Sequence, residues 1–159
     1  MKIKTKIKAG MVVTALLFLL FSCDNDSPLP NANIPMASAN LQIDLNHEGR
    51  ELLEPLAFRI YTEPQFYNEH LGHCGLLIVH GLSSDQPYSV YDLICPYDYP
   101  EKVAIRIIKD NSLRSAECPK CHTIYDLSMG IGNPTSGVGQ SPLLQYQISK
   151  SGQMLYIHN

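Results

Sequence analysis

The sequence predicts an all-β domain of small antiparallel sheets, and three observations predict it. From Leu41 onward the apolar residues cluster in runs of four to seven, separated by Gly, Pro, Asn, Asp or Ser. No long segment repeats with a helical period. The absence of Trp, with nine Tyr and eleven Pro in 159 residues, suits a small turn-rich β protein better than a helical bundle. With 45% hydrophobic and 17% charged residues the composition is globular, and the length fits one domain.

Residues 1–22 read as an address. Lys2, Lys4, Lys6 and Lys8 form a positive start, Met11 to Phe21 an apolar core, and Ser22 a small residue before Cys23. The core of about 11 residues is shorter than the roughly 20 that a spanning helix needs, so the segment specifies export. Leu20-Phe21-Ser22-Cys23 resembles the lipobox of bacterial lipoproteins, although Phe21 is not the preferred residue there. The resemblance implies that Cys23 is the lipidation site and first mature residue, anchored to a membrane of the bacterial cell envelope, whose face is left open. Several acyl chains suffice as an anchor, because each buried methylene contributes about 0.8 kcal/mol. Residues 23–40, with Pro28, Pro30 and Pro35 and little to bury, read as a lipid-anchored, semi-extended linker. Without residues 1–22, eight Lys and Arg face fifteen Asp and Glu, a net charge of −7. Such a surface repels phosphate backbones, which disfavours nucleic acid, and no nucleic-acid partner is expected.

Residues 41–159 form the β domain. Strands are expected at 41–45, 57–62, 75–80, 89–94, 103–108, 113–117, 123–126, 143–148 and 154–158. In the fifth, Val103, Ile105 and Ile107 alternate with Ala104, Arg106 and Ile108, the pattern of a half-buried strand. Leu144, Tyr146 and Ile148 alternate with Gln145, Gln147 and Ser149 in the same way. One or two helical turns fit within 48–53, with Pro55 limiting them. Between Ser128 and Ser141 four glycines and Pro134 predict a long loop, a length that functional loops often explain.

The chemistry-bearing residues are cysteines. Cys118-Pro119-Lys120-Cys121 is a C-x-x-C turn followed by His122, and Cys95-Pro96 opens a second loop upstream. Proline stiffens each of these two Cys-containing loops, which can bring their thiolates to one metal centre. His70, His73 and Cys74 make a compact group whose commoner role is a loop leading into a strand.

The run Tyr91-Asp92-Leu93-Ile94-Cys95-Pro96, then Cys118-Pro119-Lys120-Cys121-His122-Thr123-Ile124-Tyr125-Asp126, then Gly130, Gly132, Pro134, Gly137, Pro142-Leu143 and Tyr146, closing on Leu155-Tyr156-Ile157, resembles a Rieske domain. That family holds a two-iron, two-sulfur (2Fe-2S) cluster by two Cys on one iron and two His on the other. Carried over by position, Cys95 and Cys118 match the thiolate ligands, while Tyr97 and Cys121 stand where the histidines belong. Thr123 and Tyr125 stand where the family places hydroxyl donors toward the cluster, and 130–139 resembles its covering loop, with Val138 in place of a common proline. Loss of both imidazoles implies a potential lowered toward that of all-Cys clusters. A tyrosinate at Tyr97 requires loss of a proton whose ordinary pKa is about 10.

Three outcomes are open for this site. One is a Rieske-like 2Fe-2S protein ligated by Cys95, Cys118, Cys121 and either Tyr97 or His122, exchanging electrons with an unknown redox partner protein. Another is structural zinc on the three thiolates with His122 or an outside His such as His70 or His73. In the third the site binds no metal and Cys95 pairs with Cys118 or Cys121, leaving a non-redox binding or structural module of the envelope. Catalysis is disfavoured: there is no Gly-x-Ser-x-Gly elbow, no phosphate loop, and no room for the mononuclear iron domain of a Rieske oxygenase.

Overall fold

The computed structural model of the chain describes residues 34–109 and 114–159. The signal segment 1–22, the lipidation residue Cys23 and the linker as far as residue 33 lie outside the described residues, as does Leu113 of the expected strand 113–117. Among the described residues no helix is long and apolar enough to cross a membrane.

The fold is all-β. Seven strands form one antiparallel sheet: β1 (Ala39–Asp44), β2 (Phe58–Tyr61), β3 (His70–Leu71), β4 (Leu76–His80), β5 (Tyr88–Asp92), β10 (Gln145–Ser151) and β11 (Met154–His158). Their order is β2-β4-β5-β10-β11-β1-β3. A second antiparallel sheet contains β6 (Arg106–Lys109), β7 (Arg114–Glu117), β8 (Ile124–Asp126) and β9 (Pro134–Ser136) in sequential order. Between β1 and β2 a single 3-10 turn, Arg50–Leu53, buries Leu52 and ends ahead of Pro55.

Alternation sets which residues are covered. Ala39, Leu41 and Ile43 of β1 point inward beside Leu155 and Ile157 of β11, and the register pairs Leu41 with Ile157 and Ile43 with Leu155. β4 is buried on both faces. Leu76 and Ile78 join a first core with Leu41, Ile43, Val90 and Tyr146. Leu77 and Val79 join a second core with Tyr91, Ile105, Cys95, Cys118, Tyr125 and Leu127. A continuous apolar run such as Leu76–Val79 is the signature of a strand covered on both faces, and burying each of these side chains contributes about 1.5–3 kcal/mol. The second core places the cysteines under the interface of the two sheets.

The expected alternations at 103–107 and 144–148 match the cores, with Ile105 buried and Val103 and Ile107 packed against it. Several elements differ from expectation. The strand expected at 103–108 begins only at Arg106, and 103–105 pair with 93–95 outside any named strand. β1 begins at Ala39, inside the span read as linker, and the chain just before it is held: His73 Nε2 bonds the Pro35 carbonyl at 2.8 Å, and Gly72 N donates to Ser38 O at 3.0 Å. β3 is a two-residue strand on β1, and β9 lies within the glycine-rich stretch, pairing with β8. Strand formation at these places is decided by a waiting partner edge rather than by propensity.

Burial also sets an alkaline limit. The pKa of Tyr61 is pushed up to about 12, chiefly by burial, and its hydroxyl has no hydrogen-bond partner among the described residues. Burial raises Tyr88, Tyr91, Tyr125 and Tyr146 as well. The unfolded chain releases these protons near pH 10 while the folded chain keeps them, so this contribution is intact below pH 10 and is lost as pH rises through the folded values. The expected result is a melting temperature that falls steeply above pH 10, with phenolate absorbance rising together with unfolding. Full phenolate absorbance in the folded protein at pH 10.5 contradicts it.

Candidate metal centre

Two turns of matching form build the site. Cys95 leaves β5 through residues 93–95, which are held to 103–105 by hydrogen bonds from Cys95 N to Val103 O and from Ile105 N to Leu93 O, both 2.8 Å. Its turn runs Cys95-Pro96-Tyr97-Asp98. Cys118 follows β7, and its turn runs Cys118-Pro119-Lys120-Cys121 before β8. Cys118 N donates to Thr123 O and His122 N to Cys118 O, each at 3.0 Å, which closes that turn. In both turns backbone N–H groups aim at the first sulfur: Asp98 toward Cys95, and Lys120 and Cys121 toward Cys118. Each turn therefore offers a ligand at its first and fourth positions.

These four side chains converge. The thiols of Cys95, Cys118 and Cys121 and a carboxylate oxygen of Asp98 all lie within 4.8 Å of one another, a group that can hold a metal ion. Cys95 Sγ stands 3.6 Å from Cys121 Sγ, and Cys118 Sγ donates to Asp98 Oδ2 at 3.0 Å. With Zn–S bonds of about 2.3 Å, tetrahedral ligands stand about 3.8 Å apart, so the four atoms are spaced to receive one ion. None of the four described cysteines is bonded to another. This corrects the expectation of a Cys95 disulfide to Cys118 or Cys121.

Burial holds two of the thiols in their protonated form. Burial, and then the carboxylate of Asp98, pushes the Cys118 thiol far up, and burial raises Cys95 despite the Tyr125 hydroxyl beside it. Burial opposes the charge on Asp98, but donation from the three thiols, Cys118 first, and the nearby Lys120 outweigh it and hold its pKa below the usual carboxylate range. A divalent ion reverses the burden on the sulfurs by taking the place of their protons. Two hydroxyls flank the group. Tyr125 Oη lies 3.6 Å from Cys95 Sγ, and Thr123 Oγ1 accepts from Cys121 Sγ at 3.2 Å and from Gly139 N at 2.8 Å. Once the thiols lose their protons, both hydroxyls stand where they donate to a thiolate. Gly137, at φ +95°, lets the covering loop approach within what would be 2.6 Å of a Cβ from the Thr123 Cα, a space only glycine leaves open.

The remaining expected site residues lie elsewhere. Tyr97 is 39% exposed and outside the converging group. His122 adopts φ 57° and is 74% exposed, its Nδ1 3.0 Å from Glu117 Oε1. The imidazole faces solvent, and the fourth atom of the converging group is a carboxylate oxygen of Asp98. His73 is engaged by Pro35, and Cys74 and His70 stay on the β3 loop outside the group. Asp98 was not foreseen, yet the repeated Cys-Pro-x-ligand frame of the two turns carried the signal. Replacing His122 with glycine is expected to leave metal affinity unchanged by titration; a tenfold or greater loss assigns the imidazole to the ion.

Asp92, fully buried, anchors the first turn from behind. Its Oδ1 accepts from Ile94 N at 2.9 Å and Cys74 N at 3.2 Å, its Oδ2 from His73 N at 2.7 Å and Tyr146 Oη at 2.9 Å. Four donors on one carboxylate satisfy a buried charge, and they lock the residues leading into Cys95 to the β3 loop and to β10.

No protein-family model, curated protein or solved structure matches the chain.

Proposed function

We propose that this chain is a non-catalytic envelope module, anchored through Cys23, in which Cys95, Asp98, Cys118 and Cys121 hold one metal ion as a cross-link between the two sheets. The convergence of four ligand atoms within 4.8 Å carries this reading. Three thiolates and a carboxylate suit zinc best: the donor set is soft, four ligands complete a tetrahedron, and such a closed set is structural because it leaves no position for substrate. When bound, the ion supplies cross-linking energy; the chain supplies the ligands, the flanking hydroxyls and the burial. The net charge of −7 on residues 23–159 favours a partner other than nucleic acid.

A second reading follows from the resemblance to the Rieske family: an electron carrier with a 2Fe-2S cluster and a redox partner protein. Tyr125 and Thr123, beside Cys95 and Cys121, favour it, since they occupy the positions the resemblance gives to donors toward the cluster. The ligand spacing weighs against it, because ligand pairs on two separate irons stand farther apart than the edge of a single tetrahedron. Elemental and acid-labile sulfide analysis of the full chain separates the two. One zinc per chain without sulfide is expected; iron with equimolar sulfide selects the electron carrier, and neither metal overturns both.

A further inference from the structure

Lys120 sits between the ligands of the second turn without belonging to them. Its Nζ lies 2.7 Å from Glu101 Oε2 and 3.6 Å from Asp98 Oδ1. Asp98 thus divides its two oxygens. Oδ2 meets Cys118 Sγ among the thiols, and Oδ1 faces the ammonium. The two side chains differ in setting, since Lys120 is 50% exposed and Asp98 only 4%. An ion pair between two exposed groups contributes little. Here one partner is buried beside three sulfurs, where screening by water is weak and an uncompensated charge is costly.

Three thiolates and one carboxylate bring four negative charges, so a divalent ion leaves the group doubly negative. A carboxylate also binds metals through either one oxygen or both. We propose that Lys120 is a positioning residue that keeps Asp98 to ligation through Oδ2 alone and offsets the surplus charge, thereby selecting four-coordinate ions such as Zn2+ and Co2+ over larger ions, such as Cd2+, that take both oxygens. The inference rests on the single-ion reading above. Glu101, from the end of the first turn, steers the ammonium, so the two turns are joined outside the ligand group as well as through it.

Without the ammonium, Oδ1 is free to turn to the ion, and coordination rises from four to five. Co2+ reports this directly, because its ligand-field absorption is strong in a tetrahedron and weak in a five-coordinate site. The test titrates the full chain, its K120M variant and its K120R variant with Co2+, Zn2+ and Cd2+. Expected for K120M are a weakened Co2+ band, Zn2+ affinity reduced about tenfold as for other groups that orient a ligand, and a Cd2+ to Zn2+ preference shifted toward Cd2+. K120R restores all three. A K120M spectrum, affinity and preference equal to those of the parent overturn the role of Lys120 and leave the metal centre standing. A parent chain that binds none of the ions overturns the centre, and this role with it. The Co2+ spectrum and the Cd2+ to Zn2+ preference are read on folded protein and are not moved by a general loss of stability, which separates positioning from folding.

Discussion

Replacing Cys118 with serine is expected to abolish the proposed zinc binding and to lower the melting temperature measured in the presence of zinc by on the order of 10 °C. Cys118 is fully buried, receives backbone N–H groups of its own turn and touches Asp98 Oδ2, so it stands at the middle of the ligand group. Serine preserves the shape but offers a hydroxyl that does not ionise as a thiol does. A ligand present at a hundred to a thousand times its dissociation constant stabilises the folded state by about 3–4 kcal/mol, and this linkage disappears with the ion. Calorimetry with zinc and with chelator measures it. The parent loses the same interval on chelation, while C118S shows no response to either. A chelator-insensitive parent removes the ion from the stability of the fold.

Asp92→Ala is expected to cost about 4 kcal/mol without removing any ligand. The carboxylate accepts from His73 N, Cys74 N, Ile94 N and Tyr146 Oη, and its loss leaves four donors with no acceptor in a closed space. Each buried donor left unpaired costs about 1–3 kcal/mol, reduced where water enters. Asp92→Asn retains acceptor oxygen and loses less. Urea unfolding reads the effect as a fall in midpoint at unchanged slope. A midpoint for D92A close to the parent's contradicts the anchoring role.

Legibility followed the range of the interactions involved. The alternation of Val103, Ile105 and Ile107 was readable as a covered face with a period of two, although the strand itself begins only at Arg106. β3 and β9 were not, since His70–Leu71 and Pro134–Ser136 have little strand character and are ordered by β1 and β8. In the site, the three cysteines were readable from type and spacing. Asp98 was not, because a loop carboxylate is ordinarily solvated and the Rieske register drew attention to Tyr97. What selects Asp98 is the turn after Pro96, which repeats the geometry after Pro119 and places the fourth residue beside the first. His122 stands outside the converging group, exposed and beside Glu117, at a left-handed backbone position that no spacing rule reveals.

X-ray absorption at the metal edge of the loaded full chain tests the single-ion centre most directly. Three sulfur neighbours at about 2.3 Å and one oxygen at about 2.0–2.2 Å, with no second metal nearby, is the predicted shell. A short metal-to-metal distance with bridging sulfide, or a shell lacking the carboxylate oxygen, contradicts it.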